Sequence, residues 1–264
     1  MMGSTHVTMA MIGGTLTLPA AAAGGLHSPM EQAAWIITWG GAGLAPDFDH
    51  PKAHAALMWG PISQALAAGV GALAGGHRKG THDLLLAPLG VAVAIALALG
   101  ATSGWAAMLV LSVTIGLGLR GLQAIDLGRT AEATNLALSI GGAWWLTSHG
   151  HLGHFALLPV AFAGGVLCHL IGDGLTDERL PVPILWLTGN ERRIGLPLMA
   201  TGKTVELIAW APAMAALLLW RLSEVTNIHS FTDLRLAMQH VIVAAMDTAP
   251  AVIRALWEIA QLLS

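Results

Sequence analysis

The sequence predicts an all-α protein, a polytopic bundle of membrane helices with a one-sided metal site and a C-terminal amphipathic helical appendage. Three observations predict it. Apolar runs of spanning or near-spanning length recur along the chain, with no period-two alternation that would mark a strand. Charged residues make up 10% of the chain, against about 25% in soluble domains. Half of the Asp and His residues fall in three short clusters at the edges of the apolar runs.

The runs can be taken in order. Residues 7–24 and 33–45 form a first hairpin, broken near Gly24-Gly25 and Ser28-Pro29. The run 61–75 is apolar but short, and it is buried, interfacial or spanning. The run 84–101 is uncharged and long enough to cross, since a span needs about 20 residues. The run 105–119 returns after a Thr-Ser-Gly break. Runs 134–147 and 155–171 make another pair around 148–154, and 207–220 is a shorter candidate. Residues 1–222 are read as one membrane-embedded domain. The remainder, 223–264, mixes apolar residues with Asp233, Arg235, Asp247, Arg254 and Glu258 and is divided by Pro250. It reads as two amphipathic helices on the membrane surface or against the bundle, with a homo-oligomer interface as the alternative.

Composition narrows the function. The mean hydropathy is +0.68. A net charge of −3 gives no reason to expect nucleic acid as a partner. The single cysteine, Cys168, excludes an intramolecular disulfide and a Cys-rich zinc module. The N-terminus shows no basic region followed by a cleavage site, so no removed signal peptide is expected.

The polar clusters are LAPDFDHPKAH (44–54), GGHRKGTHD (75–83) and CHLIGDGLTDERLP (168–181). Imidazole with carboxylate is the ligand set of zinc and similar divalent transition metals. His169 and Asp173 are four apart and share a helix face. Asp47, Asp49 and His50 lie on a turn bounded by Pro46 and Pro51. His77 and His82 flank Gly80, and His6 starts the first helix. Followed as up-and-down passes, all of these fall on one side of the bundle. Ionisable groups at lipid depth are costly and default to a functional reading. Lys52, Arg78, Lys79, Arg120, Arg129, Arg179, Arg192, Arg193 and Lys203 fall on the same side, with Arg221 the exception. Short basic loops stay in the cytoplasm, so the site is expected to face it. His54 is a candidate supporting residue. His27, His149, His151 and His154 fall on the far side, and His229 and His240 belong to the appendage.

These motifs resemble the YdjM family of inner-membrane metal-dependent hydrolases, described as LexA-regulated. The residues that carry the resemblance are Thr5-His6, LAPDFDHPK (44–52), GHRKGTH (76–82), HLIGDGLT (169–176) and LPLMATGKTVE (196–206), in order. The family is grouped with zinc-dependent phospholipase C and P1-type nucleases, which are helical with clustered metals. The resemblance implies a bacterial inner-membrane location and metal-dependent hydrolysis at a phosphoester, without implying a substrate. The chain departs from the family pattern at Asp83, where Ser is usual. It departs again at Thr176-Asp177-Glu178-Arg179, where Thr-Pro-x-Gly is frequent.

The expected function is hydrolysis at one, two or more ions, zinc first and manganese or iron as alternatives. The ligand candidates are His6, Asp47, Asp49, His50, His77, His82, His169 and Asp173. Asp83 or Glu206 would accept the proton. Arg78, Lys79, Arg192, Arg193 and Lys203 would hold a phosphate, so the expected substrate is a phospholipid or lipid-linked phosphoester. A metal transporter or sensor is the second reading. The apolar mid-span positions 91–99 speak against it, because transport needs polar groups through the span. A structural metal without turnover is the third.

Overall fold

The structure, a computed structural model, describes residues 1–230 except 103, 126–127 and 150–151, together with 232, 233, 235, 236 and 239. Most of the expected C-terminal appendage therefore lies outside the described residues, as do residues 150–151 and the side chains of the His-rich turn 149–154. One compact unit comprises Met1–Leu218, and a second begins at Leu219.

Eight α-helices are described: α1 (Gly3–Ala23), α2 (Pro29–Ala42), α3 (Pro61–Leu73), α4 (Leu86–Thr102), α5 (Gly104–Gly121), α6 (Arg129–His149), α7 (Leu158–Gly174) and α8 (Ala211–Thr226). A π-helical turn, Val205–Trp210, leads into α8. Two-residue strands β1 (Leu180–Pro181) and β2 (Arg193–Ile194) pair antiparallel. The sequence reading found no strand, because two residues are too few to show an alternation.

Local chemistry sets the helix ends where hydropathy alone misplaces them. The second apolar run starts at 33, yet α2 begins at Pro29. Ser28 Oγ accepts from Glu31 N at 3.2 Å while Glu31 Oε2 accepts from Ser28 N at 3.0 Å. That reciprocal capping box, with Pro at the first helical position, starts the helix early. Helix α3 has 13 residues and buries Ser63, Ala67 and Gly71 along one face. It is too short to cross a bilayer, which takes about 20 residues.

Helix α2 lies at the centre of the first unit, packed on α1, α5 and α7, while α6 packs on α5 and α4 on α7. Small residues make this approach close. The Trp39 ring of α2 fills the space left by Gly13 of α1 and Gly164 of α7. A Cβ on Gly13 would meet the ring at 2.8 Å, and one on Gly164 would run into it. The outer surface is apolar: Leu89, Val93 and Leu97 of α4 and Trp105 and Leu109 of α5 are all exposed. In water such a surface marks an interaction face, and lipid is the partner that the helix lengths match. Among the described residues, 104–121, 155–174 and 205–226 are long and apolar enough to cross a membrane.

Candidate metal centre

The alternating helices bring the start of α1, the segment after α2, the approach to α4 and the end of α7 to one place. His6 sits in the first turn of α1 and is buried. Asp47 and Asp49 stand on a 3-10 turn, Pro46–Asp49. His82 ends a 3-10 turn, Gly80–His82. His169 and Asp173 close α7, both buried.

Four donor atoms form a ring. His82 Nε2 lies 3.7 Å from Asp47 Oδ1 and 3.7 Å from Asp173 Oδ2. His169 Nε2 lies 3.9 Å from Asp47 Oδ1 and 3.7 Å from Asp173 Oδ2. Donors bound to one zinc-class ion at about 2.0–2.1 Å sit roughly 3.3 Å apart in a tetrahedron. The four imidazole–carboxylate edges of the ring are a few tenths of an ångström longer than that. His82 Nε2, His169 Nε2 and Asp173 Oδ2 are buried without a hydrogen-bond partner. Three orphaned buried polar atoms converging on one point would be costly unless a cation satisfies them, so the residues fit a divalent metal.

The other atoms of these side chains aim the donors. His169 Nδ1 donates to the Gly43 carbonyl at 2.8 Å. That bond leaves Nε2 of the neutral ring as the lone-pair donor. Thr81 Oγ1 lies 3.0 Å from His82 Nδ1 and also donates to Asp49. His6 stacks on His169 with ring centroids 3.7 Å apart, and its Nε2 lies 3.1 Å from Asp173 Oδ1. The Met1 amine donates to the same Oδ1 at 2.9 Å. Gly172 gives His6 its room, since a Cβ there would meet the imidazole at 3.1 Å. Two groups with metal-ligand spacing result, His6/His169/Asp173 and Asp47/His82/His169.

The charges agree with this arrangement. Burial works to raise the Asp47 carboxyl, but the His169 and His82 imidazoles outweigh it and hold Asp47 below the ordinary carboxylate range. Burial likewise works to lower His82, and Asp47 and Asp49 more than offset it, so its pKa is raised.

The remaining ligand candidates stand one layer out. Asp49 accepts from His77 Nδ1 at 2.6 Å and from Arg78 N at 2.8 Å. His77 is 43% exposed. His50 packs edge-on to His77 at 5.1 Å and accepts from Lys52 N. Asp49, His77 and His50 belong to neither donor group.

The two expected proton acceptors have other work in the structure. Asp83 Oδ1 accepts from Leu85 N and Leu86 N, and Oδ2 from Ile184 N and Trp186 Nε1. Glu206 accepts from Met2 N at 2.7 Å and Gly202 N at 2.8 Å and is buried. Both carboxylates act as tethers, because their lone pairs are already committed to backbone and indole donors.

Among the basic residues, Arg78 lies innermost, 3.9 Å from Asp173 Oδ2 and 2.6 Å from Glu178 Oε2. Arg78, Lys79, Arg193 and His77 line a polar pocket of about 190 Å³. Arg192 and Lys203 are exposed and do not line it. His54 is exposed as well, and its carbonyl accepts from Arg120 Nε at 3.3 Å. Sequence reasoning missed Thr81, Glu178 and Trp186. Thr81 sits inside the GHRKGTH motif and was legible there. Glu178, noted only as a departure from the family pattern, and Trp186 meet their partners about a hundred residues away, and no local pattern shows those pairings.

A family model described as YdjM inner membrane protein matches residues 1–246. The chain belongs to the YdjM inner membrane protein family. The match covers every donor of the centre. Neither a curated protein nor a solved structure matches the chain. Membership agrees with the apolar outer surface and the three membrane-length stretches of this YdjM-family chain.

Proposed function

We propose that this YdjM-family protein is a multi-pass, membrane-bound, metal-dependent hydrolase that cleaves a phosphoester of a lipid or lipid-linked substrate at the cytoplasmic face of the inner membrane. The observation that carries the reading is the ring of His82, His169, Asp47 and Asp173 with three orphaned buried donor atoms. Two imidazoles with two carboxylates suit zinc, and manganese or iron take the same ligand types. The two donor groups share His169, so one centre is read, with His6 buttressing it. The basic residues of the connecting segments support the cytoplasmic orientation. The family whose motifs the chain resembles is grouped with zinc-dependent phospholipase C and P1-type nucleases, and that grouping supports the same chemistry.

When bound, such an ion supplies Lewis acidity toward a phosphoryl oxygen and lowers the pKa of water to about 7. The protein's own residues do the rest. Asp47, 25% exposed, is the ring member that reaches solvent. Arg78 offers two parallel N–H groups to phosphoryl oxygens. His77, whose Nδ1 is held by Asp49, lines the polar pocket and is assigned the role of proton acceptor.

A structural ion is the second reading, and the donor count favours it, because closed structural sites use four protein ligands. The experiment that separates the two is elemental analysis of detergent-purified wild type beside His169→Ala/Asp173→Ala, paired with phosphodiester turnover by wild type and Asp47→Ala. The hydrolase reading expects near-stoichiometric metal that falls in the double variant, and turnover lost with Asp47. Metal without turnover, with unfolding on chelation, supports the structural ion. No metal after reloading sinks both.

A further inference from the structure

The metal centre has two unlike neighbours. On one side is an apolar cavity of about 630 Å³, walled by Leu73 of α3, Gly90 and Val91 of α4, Leu117 of α5 and Phe162 of α7. Small-molecule sites run about 300–1,000 Å³. The cavity borders the centre: Pro46, Phe48 and Thr81 line it and are the chain neighbours of Asp47, Asp49 and His82. Leu73, one of its lining residues, is 90% exposed, so the cavity reaches the surface at an apolar side chain. On the other side lies the polar pocket, where Arg78, Lys79 and Arg193 outnumber Glu191.

Trp186 lines both spaces. Its indole N–H donates to Asp83 Oδ2 at 2.8 Å, and Asp83 Oδ1 holds the first turn of α4 through Leu85 N and Leu86 N. The partition between apolar and cationic space is therefore fixed to the helix that walls the cavity. This gives Asp83, a departure from the family motif, a positioning role.

We infer that the cavity is an acyl-chain slot and the polar pocket a headgroup site, so that the substrate is an anionic phospholipid with one chain in the slot. Its phosphate lies at the metal centre beside Arg78, and its headgroup lies beyond Trp186. This rests on the hydrolase reading and adds the substrate class and its pose. Charge complementarity selects the occupant: an apolar chain ending in a phosphate matches an apolar cavity that ends at cationic groups. An acyl chain reaches the slot through the same apolar surface that faces lipid.

Gly90 provides the test. It lines the slot, and a Cβ added there meets nothing within 4 Å. Gly90→Phe places a ring at the slot lining from a position where the added Cβ meets no neighbour. Gly100, on the same helix but outside the slot lining, also has open space around it, so Gly100→Phe is the matched control. The metal-loaded full chain is assayed with palmitoyl-oleoyl phosphatidylglycerol and with bis-p-nitrophenyl phosphate, which has no chain. Lipid retention after detergent exchange is counted by native mass spectrometry. The expected result is that Gly90→Phe lowers the ratio of lipid to small-diester turnover at least ten-fold and removes one retained lipid, while Gly100→Phe matches wild type. Small-diester turnover with unchanged ratio and retention in Gly90→Phe overturns the slot and leaves the hydrolase reading standing. Retention lost in Gly90→Phe without turnover of either substrate by wild type overturns the hydrolase reading and leaves the slot. Neither turnover nor retention in wild type overturns both.

Discussion

Nδ1 of His169 donates to the carbonyl of Gly43 at 2.8 Å, joining the last turn of α7 to the end of α2. The bond fixes the ring and its tautomer together, so that Nε2 faces Asp47 and Asp173. His169→Phe keeps the ring's bulk and loses both nitrogens. We expect metal affinity to fall at least ten-fold, in line with the effect of losing even a supporting group. The metal-free protein should lose about 1–3 kcal/mol, because the Gly43 carbonyl is left unsatisfied. Metal titration and thermal unfolding of the same preparation check both parts.

Asp83 carries four hydrogen bonds between α4 and the segment at Ile184 and Trp186. Asp83→Ala should cost roughly 1–3 kcal/mol, since several part-buried donors lose a charged acceptor. Metal content should stay near the wild-type value. Limited proteolysis should cut first within 182–192. Loss of metal with an intact loop would instead make Asp83 a ligand.

The same carboxylate sets an acid limit. Burial alone would raise Asp83, but the N–H groups of Ile184, Leu86 and Leu85 and the Trp186 indole outweigh it and hold its pKa below the ordinary range. A group depressed on folding contributes stability that is fully present above its unfolded value, about 3.9, and is lost as pH falls through the folded value. Stability should therefore drop below about pH 4 in the wild type. Asp83→Asn should flatten that limb, as measured by unfolding between pH 6 and pH 3.

Glu178 competes for Arg78 at 2.6 Å. Glu178→Gln removes the competing charge and leaves the guanidinium to the substrate. Because this pair is partly exposed, about 0.5 kcal/mol is at stake. The expected result is a two- to three-fold lower KM for a phosphoester with kcat unchanged. A raised KM would show that Glu178 holds Arg78 in its productive position.

Gly164 leaves space for the Trp39 ring at the crossing of α2 and α7. Gly164→Leu overpacks that crossing and should cost about 1–3 kcal/mol. The companion change Gly90→Leu enters open space and should not. Unfolding of the two variants in one detergent distinguishes them.

The helices were legible because most apolar runs are long and their breaks carry Gly or Pro. Their ends were not, and α2 shows why: the capping box at Ser28 and Glu31 outranks hydropathy. The centre was legible in His169 and Asp173, which share a helix face, and in the folded-back placement of Asp47 and His82. The roles of Asp83 and Glu206 were not, since their partners lie 101 and 204 residues away. A carboxylate near a metal motif looks the same in sequence whether it takes a proton or anchors a loop.

The ring draws its donors from the turn after α2, the approach to α4 and the last turn of α7. At about 5–20 residues per second of synthesis, roughly 6–25 s separate the emergence of Asp47 from that of Asp173. Until then the earlier histidines and aspartates have no shared cation to hold. On the proposed reading, loading the ion becomes the closing event of biogenesis, and a chain stalled or misinserted before its seventh helix would lack a complete set of donors.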